Sequence, residues 1–234
     1  MTIKGVMFDF SGTLFRIESV DSWFRSVLPA HGVRPAEEEI GRYVAELTAA
    51  GALPGGPQPV RVPARLARAY ARRDESAELH RAAYTGLARE VALPEDGLYD
   101  ALYARHMEPA AWLPYPDAAE VLRGLRADGT RIAVVSNIGW DLRPVFRAHG
   151  LDEFVDAYVL SFEHGVQKPD PELFRTALAA LDLPPAEAVM VGDDRHADGG
   201  AAALGCEVRF VDHLPVTGRP DGLRALGLVG AGAA

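Results

Sequence analysis

The sequence predicts an α/β fold: a Rossmann-like parallel sheet core with an inserted all-α cap subdomain. Three observations carry this expectation. Five short apolar runs rich in β-branched residues, at 3–8, 131–136, 155–160, 188–192 and 206–211, have the pattern of buried strands. Helical segments with ordinary start and stop signals alternate with the later runs, which implies a parallel sheet covered on both faces. Between the first run and the second, residues 16–112 carry only helical pattern.

In chain order, the first strand (3–8) leads into Asp9 and a turn at Gly12. The helical stretch then reads as segments over 19–31, 36–50, 63–73, 76–92 and 95–107, with Pro35, Pro63 and Pro94 near starts and Gly51 near a stop. A structureless crossover of that length is implausible in a compact domain, so the stretch is expected to form its own lobe. Its one long loop is the Gly/Pro-rich piece 51–63. A further helix begins at Pro116 and stops before Gly129, and another runs from Trp140 to His149 and stops at Gly150. Asp170-Pro171-Glu172 places an N-cap before a proline at the first helical position. A last helix, His196 to Leu204, stops at Gly205. The expected division is 1–15 and 113–234 for the α/β core and 16–112 for the helical cap, with a short Gly/Ala tail at 227–234.

Composition bounds the rest. With 234 residues, 48% hydrophobic and 24% charged, the chain can bury a sizeable core and does not read as disordered. No apolar run approaches the ~18 residues needed to span a bilayer. The N-terminus enters its apolar run too early for a secretion signal. A lone cysteine, Cys206, excludes an internal disulfide framework and a Cys-cluster zinc site, and it suits a reducing cytoplasm. A net charge of −9 argues against nucleic acid or an anionic membrane as main partner. Of 24 basic residues only Lys4 and Lys168 are lysine. Where Arg is the default cation, a retained Lys points to a need for a compact point charge. Lys4 merely opens a strand; Lys168 sits in a loop.

Ligands of open parallel sheets bind outside the carboxyl ends of the strands. Past those ends the chain carries Asp9-Phe10-Ser11-Gly12-Thr13-Leu14, then Ser136-Asn137, then Lys168-Pro169-Asp170, then Gly192-Asp193-Asp194 with Asp198 a turn later. Hard oxygen ligands without a His/Cys cluster suit Mg2+. A cation, hydroxyls and backbone N–H groups around a carboxylate nucleophile make a phosphoryl-transfer site. Taken alone, Asp170 is a helix cap, and Asp194 is open between cap and site.

The ordered set D-F-S-G-T-L, V-V-S-N, K-P-D-P and V-G-D-D-R-H-A-D resembles the haloacid dehalogenase superfamily of Mg2+-dependent phosphohydrolases. Its helical insertion resembles the cap of the dehalogenase and phosphoglucomutase-like branch. The resemblance implies that Asp9 is the nucleophile, forming an aspartyl-phosphate and contacting Mg2+. It implies further metal ligands in Asp193 and the Ser11 carbonyl. Ser136 would bond the transferring phosphoryl, with Thr13 and Asn137 also on the substrate side. Lys168 would offset the negative charge, and Asp194 or Asp198 would hold water on the metal, or Lys168. The substrate class implied is a small phosphorylated metabolite; neither its identity nor the oligomeric state is written in the motifs.

One position departs from that pattern. The family's phosphatases usually carry Asp two residues after the nucleophile, where it protonates the leaving oxygen and later activates water, a contribution of about 10²–10⁴-fold. Here the residue is Ser11, whose hydroxyl is no acid near neutral pH. Hydrolysis is then expected to be weak or restricted to good leaving groups, or to draw a proton from elsewhere, His196 being the nearby titratable candidate. Phosphoryl transfer to a second substrate, and a non-catalytic phosphate-binding protein, are the alternatives. Haloacid dehalogenation is the least favoured, since those relatives carry Tyr at position 11 and lack the Gly-Asp-Asp cluster.

Overall fold

The computed structural model describes residues 3–229; Met1, Thr2 and the end of the Gly/Ala tail lie outside them. The chain enters through β1 (Gly5–Phe8), buried at all four positions, as an apolar run without alternation requires of a strand covered on both faces. It turns into β2 (Phe15–Ile17) and then five helices, α1 (Val20–Val27), α2 (Glu37–Ala50), α3 (Ala67–Ala71), α4 (Ala77–Ala88) and α5 (Gly97–Arg105). β3 (Trp112–Pro114) brings the chain back. Then come α6 (Ala118–Ala127), β4 (Arg131–Ser136), α7 (Arg143–Ala148), β5 (Ala157–Leu160), α8 (Ser161–His164), α9 (Pro171–Leu181), β6 (Ala188–Gly192) and β7 (Glu207–Phe210). Five strands pair in parallel in the order β5-β4-β1-β6-β7.

Strand alternation decides which layer each side chain serves. Val6 and Phe8 join Ile132, Val134, Val189 and Val191 in one buried layer that continues into the helical insertion. Met7, Ala133, Val135 and Met190 point the other way, onto Leu173, Phe174, Ala177, Leu178 and Leu181 of α9. Burial of Phe174 alone contributes about 1.5–3 kcal/mol.

Inside the insertion, Ser19 and Ser76 cap α1 and α4 by accepting from the amides of Ser22 and Leu79 at 3.1 and 3.2 Å. Gly51 closes α2 in the left-handed conformation. Trp23 is a packing residue, buried with its indole donating to the Leu102 carbonyl at 2.9 Å. None of the described helices is long and apolar enough to cross a membrane.

Besides the unexpected short α8 and helix ends that fall inside the expected bounds, as in α1, α3 and α7, the structure differs from the sequence expectation in two places. β2 and β3 pair antiparallel, Phe15 with Pro114 and Ile17 with Trp112, so a ribbon carries the chain out of the sheet and back. Three residues per strand are too few to show a period. The expected boundaries at 15/16 and 112/113 fall within its two strands. Residues Asp198–Leu204 wind as a 3-10 segment where an α-helix was expected. Gly199 and Gly200 lower α-helical propensity there, and Gly200 lies so close to Pro169 that a Cβ would sit 2.7 Å from its carbonyl oxygen.

The insertion docks on the core through polar stitches. Ser161 Oγ donates to the Asp74 carbonyl, and Gln167 Nε2 donates to the Ala71 carbonyl at 2.9 Å. The C-terminal segment is pinned by Asp117, which is buried and accepts from the amides of Leu223 and Arg224 at 2.8 and 3.0 Å. Asp117→Ala leaves those amides without that acceptor and should lower stability by about 1–3 kcal/mol, read as a shift in the urea unfolding midpoint.

Candidate active site

Phe8 of β1 is level with Val134 of β4 and Val191 of β6. Asp9, Ser136 and Asp193 therefore emerge together at the carboxyl edge, and the Asp9 amide donates to the Val191 carbonyl at 2.9 Å. Above this edge lies a cavity of about 630 Å3. Its floor includes Asp9, Ser11, Ser136, Asn137, Lys168 and Asp193, and the insertion contributes Arg73, Asp74, His80 and Tyr84.

Lys168 is 3% exposed. Its ammonium donates to Asp9 Oδ1 at 2.7 Å, to Asp198 Oδ1 at 2.6 Å and to the Val135 carbonyl at 2.9 Å, which uses all three protons. Asn137 fixes the loop that delivers it: Oδ1 accepts from the Lys168 amide at 2.6 Å and Nδ2 donates to the Lys168 carbonyl at 2.9 Å. Burial works to lower the ammonium pKa, but Asp198 and Asp9 overcome it and hold the group above its ordinary value. Burial is likewise the largest influence on Asp9 and lifts its carboxyl well above the usual range despite Lys168. Asp198 is lifted for the same reason. Burial pushes on Asp193 too, yet the His213 hydrogen bond and nearby positive charge prevail and lower it.

The loops around this cluster leave no spare room. Gly12 has φ +88, and a Cβ there would lie 2.5 Å from both Asp193 Oδ2 and His213 Nδ1, so only glycine serves. Thr13 is fully buried with Oγ1 3.3 Å from Asp193 Oδ1 and 3.5 Å from Asp9 Oδ2. Asp198 Oδ2 accepts from the Asp194 amide at 3.0 Å, so both its oxygens are engaged. Asp194 closes the same turn, Oδ1 accepting from the amides of His196 and Ala197 at 2.8 and 2.9 Å. His196 is exposed and does not line the cavity. Asp170 caps α9, accepting from the Glu172 amide at 2.9 Å.

Oxygens of Asp9, Asp193 and Asp198 lie within 4.8 Å of one another. An all-carboxylate set of this kind fits a hard divalent cation. With Asp198 committed to Lys168 and a turn amide, the oxygens best able to take one are Asp9 Oδ2 and Asp193 Oδ1, whose contacts to Thr13 are long at 3.5 and 3.3 Å.

Two cavity groups, His213 and Arg16, and one buried residue behind the first loop, Arg219, have no counterpart among the residues singled out by sequence. His213 meets Asp193 through Nδ1 and Arg16 through Nε2. It lies just past the carboxyl end of β7, the same position relative to a strand that marks the other site residues, and that rule could have found it. Arg16 rides on the short ribbon. Arg219, 4% exposed, donates to the carbonyls of Gly12 and Thr13 and lies 3.2 Å from the Tyr115 ring centroid; no motif marks it.

A family model described as haloacid dehalogenase-like hydrolase matches residues 3–205. The chain belongs to the haloacid dehalogenase-like hydrolases. A ribulose-1,5-bisphosphate 5-phosphatase of Halopiger xanaduensis is 38% identical over 117 residues, 49% of this chain and 48% of that protein. This hydrolase chain therefore matches just under half the length of that relative. Among solved structures, a HAD phosphatase from Thermococcus onnurineus superposes with TM-score 0.57 at 24% identity, covering 90% of this chain and 86% of the other. An L-2-haloacid dehalogenase from Xanthobacter autotrophicus gives TM-score 0.61 at 22% identity, covering 100% and 85%. The fold is thus shared by a named phosphatase and a named dehalogenase, so the hydrolase's side chains and not its fold decide its chemistry.

Lys168→Met would leave Asp9 and Asp198 buried without their counter-charge. At pH 7 in chelator it should cost about 3–5 kcal/mol, measured by urea unfolding. Carboxyls whose folded pKa is raised bind protons on folding, so stability falls as pH rises from the unfolded value through the folded one. The penalty should therefore shrink on acidification.

Proposed function

We propose that the chain is a Mg2+-dependent phosphohydrolase acting on a small phosphorylated metabolite, with the helical insertion as the cap over its site. The observation that carries this reading is the Lys168 ammonium bound to Asp9 at 2.7 Å beside Asp193. A carboxylate nucleophile meets an anionic phosphoryl group only where positive charge offsets the repulsion. The phosphatase-named relative supports the same reaction class.

In this reading Asp9 attacks phosphorus with one carboxylate oxygen, and the bond to the leaving oxygen breaks to give an aspartyl-phosphate. Ser136, buried at the end of β4 and lining the cavity, donates to a phosphoryl oxygen, assisted by the Asn137 amide. Lys168 keeps its charge throughout, because Asp198 holds it from behind. Thr13 orients the two carboxylates it touches. Mg2+, held by Asp9, Asp193 and the Ser11 carbonyl, would supply the remaining positive charge at the phosphoryl group. Water then releases phosphate from Asp9. Position 11 contributes no proton, so departure is fastest for a leaving group that is already a weak base. Dehalogenation has less support: an electrically neutral C–halogen carbon has no use for an acidic cluster built to take a cation.

Two measurements test this. The protein should release phosphate from acetyl phosphate only with Mg2+, and Asp9→Asn should lower the rate by about 10⁴-fold or more; release by the variant at the wild-type rate would sink the reading. Mg2+ should raise the melting temperature, by a stabilisation of about 2.7 kcal/mol at a hundred times its Kd. Asp193→Asn should remove most of that shift.

A further inference from the structure

Asp74 lies just before α4, on the wall that the insertion presents to the cavity. It is 6% exposed, and its backbone is fixed to the core by the Ser161 hydroxyl on its carbonyl. Its carboxyl is nevertheless without a hydrogen bond among the described residues. Arg73 Nε stands 3.5 Å away and is itself a buried donor with no partner. His80 Nε2 stands at 3.9 Å, while its Nδ1 is held 2.8 Å from the Tyr103 hydroxyl. The Arg73 Nε–H left without a hydrogen bond costs about 1–3 kcal/mol and calls for an explanation outside the folded chain's own contacts; the Asp74 carboxyl beside it, held only by the 3.5 Å ion pair, borders the same cavity. Asp9, Ser136 and Lys168 line the same cavity, so a group leaving phosphorus departs into space that Asp74 borders.

We propose that Asp74 is the proton donor to the leaving oxygen, in place of the acid that Ser11 cannot supply. This rests on the phosphohydrolase reading above. As Asp9 Oδ bonds to phosphorus, the P–O bond to the leaving group breaks and its electron pair takes the proton from the Asp74 carboxyl. The alcohol leaves neutral, and Asp74 is left as a carboxylate. In the second half that carboxylate accepts a proton from water as the water oxygen bonds to phosphorus and the P–O bond to Asp9 breaks. Asp9 and Asp74 return to their starting states.

The surroundings suit a donor. Burial is the largest influence on the Asp74 carboxyl and lifts it above its ordinary value, against the pull of Arg73 and Lys168. The other titratable groups that face it are His80, Tyr70, Tyr84 and Tyr103. Burial drives His80 well below its ordinary value, so it is neutral. The three phenols are raised by burial and stay protonated. His213 is no rival, since both its ring nitrogens are engaged by Asp193 and Arg16.

The experiment compares kcat/KM for acetyl phosphate, 4-nitrophenyl phosphate and phenyl phosphate in wild type, Asp74→Asn, Ser11→Asp and the double variant. This parameter reports only the steps up to departure of the leaving group, so slow hydrolysis of the phospho-enzyme does not enter. Asp74→Asn should lower the phenyl phosphate value by about 10²-fold relative to the acetyl phosphate value. It should also flatten the alkaline limb of the phenyl phosphate pH profile, where the donor loses its proton. Adding Ser11→Asp to Asp74→Asn should restore phenyl phosphate turnover, which a folding defect would not allow. An equal loss across the series, or none, or no rescue in the double variant, overturns the assignment while leaving the phosphohydrolase reading intact. A wild-type protein that releases phosphate from none of the three overturns both.

Discussion

One ammonium holds this molecule's chemistry together. Three carboxylates, Asp9, Asp193 and Asp198, converge at the carboxyl edge of a parallel sheet, where Asp9 and Asp198 are buried and like charges repel strongly. Lys168 satisfies two of them at 2.7 and 2.6 Å, and His213 answers the third. A Lys–Asp pair in low dielectric is a poor source of stability, because the desolvation penalty can exceed the attraction. The cluster is better understood as a site held ready for further charge of both signs: a cation between the carboxylates and an anion against Asp9.

That requirement explains much of the local backbone. Asp198 can reach back to Lys168 because residue 192 is glycine: a Cβ there would stand 2.0 Å from Asp198 Oδ2. Gly12 makes the same allowance for Asp193 and His213. Asn137 turns the end of β4 into a bracket for the Lys168 backbone. From the far end of the chain, Arg219 closes over the carbonyls of Gly12 and Thr13. Residues distant in sequence thus stiffen the one loop in which Asp9 must hold its geometry.

The five core strands and the helical insertion were legible because long apolar runs and helical periodicity survive tertiary packing. So was the grouping of Asp9, Ser136, Lys168 and Asp193, since a parallel sheet brings its carboxyl ends to one edge. The lysine was conspicuous as one of only two. The features that escaped detection have no periodic or compositional mark. The β2–β3 ribbon is too short to show alternation. Arg73, Asp74 and Arg219 are single polar residues whose meaning comes from what folds over them, and 22 of the 24 cations are arginine, so an individual Arg carries no signal. Asp194 was ambiguous in sequence for a physical reason: the turn it closes also positions Asp198, so one carboxylate closes the loop while its neighbour serves Lys168.

Serine at position 11 moves a question of chemistry into a question of architecture. An acid two residues after the nucleophile is positioned by the same rigid turn and is present whatever the insertion does. An acid at position 74 is present only when the insertion is seated on the core, through Ser161 on the Asp74 carbonyl, Gln167 on the Ala71 carbonyl and His80 against Gly139. Proton transfer to the leaving group then becomes conditional on docking. Under that arrangement an aspartyl-phosphate formed from a good leaving group would outlast any opening of the insertion, because the residue that activates water departs with it. Position 11 and the contacts that seat the insertion are therefore coupled: altering either changes which step the other controls.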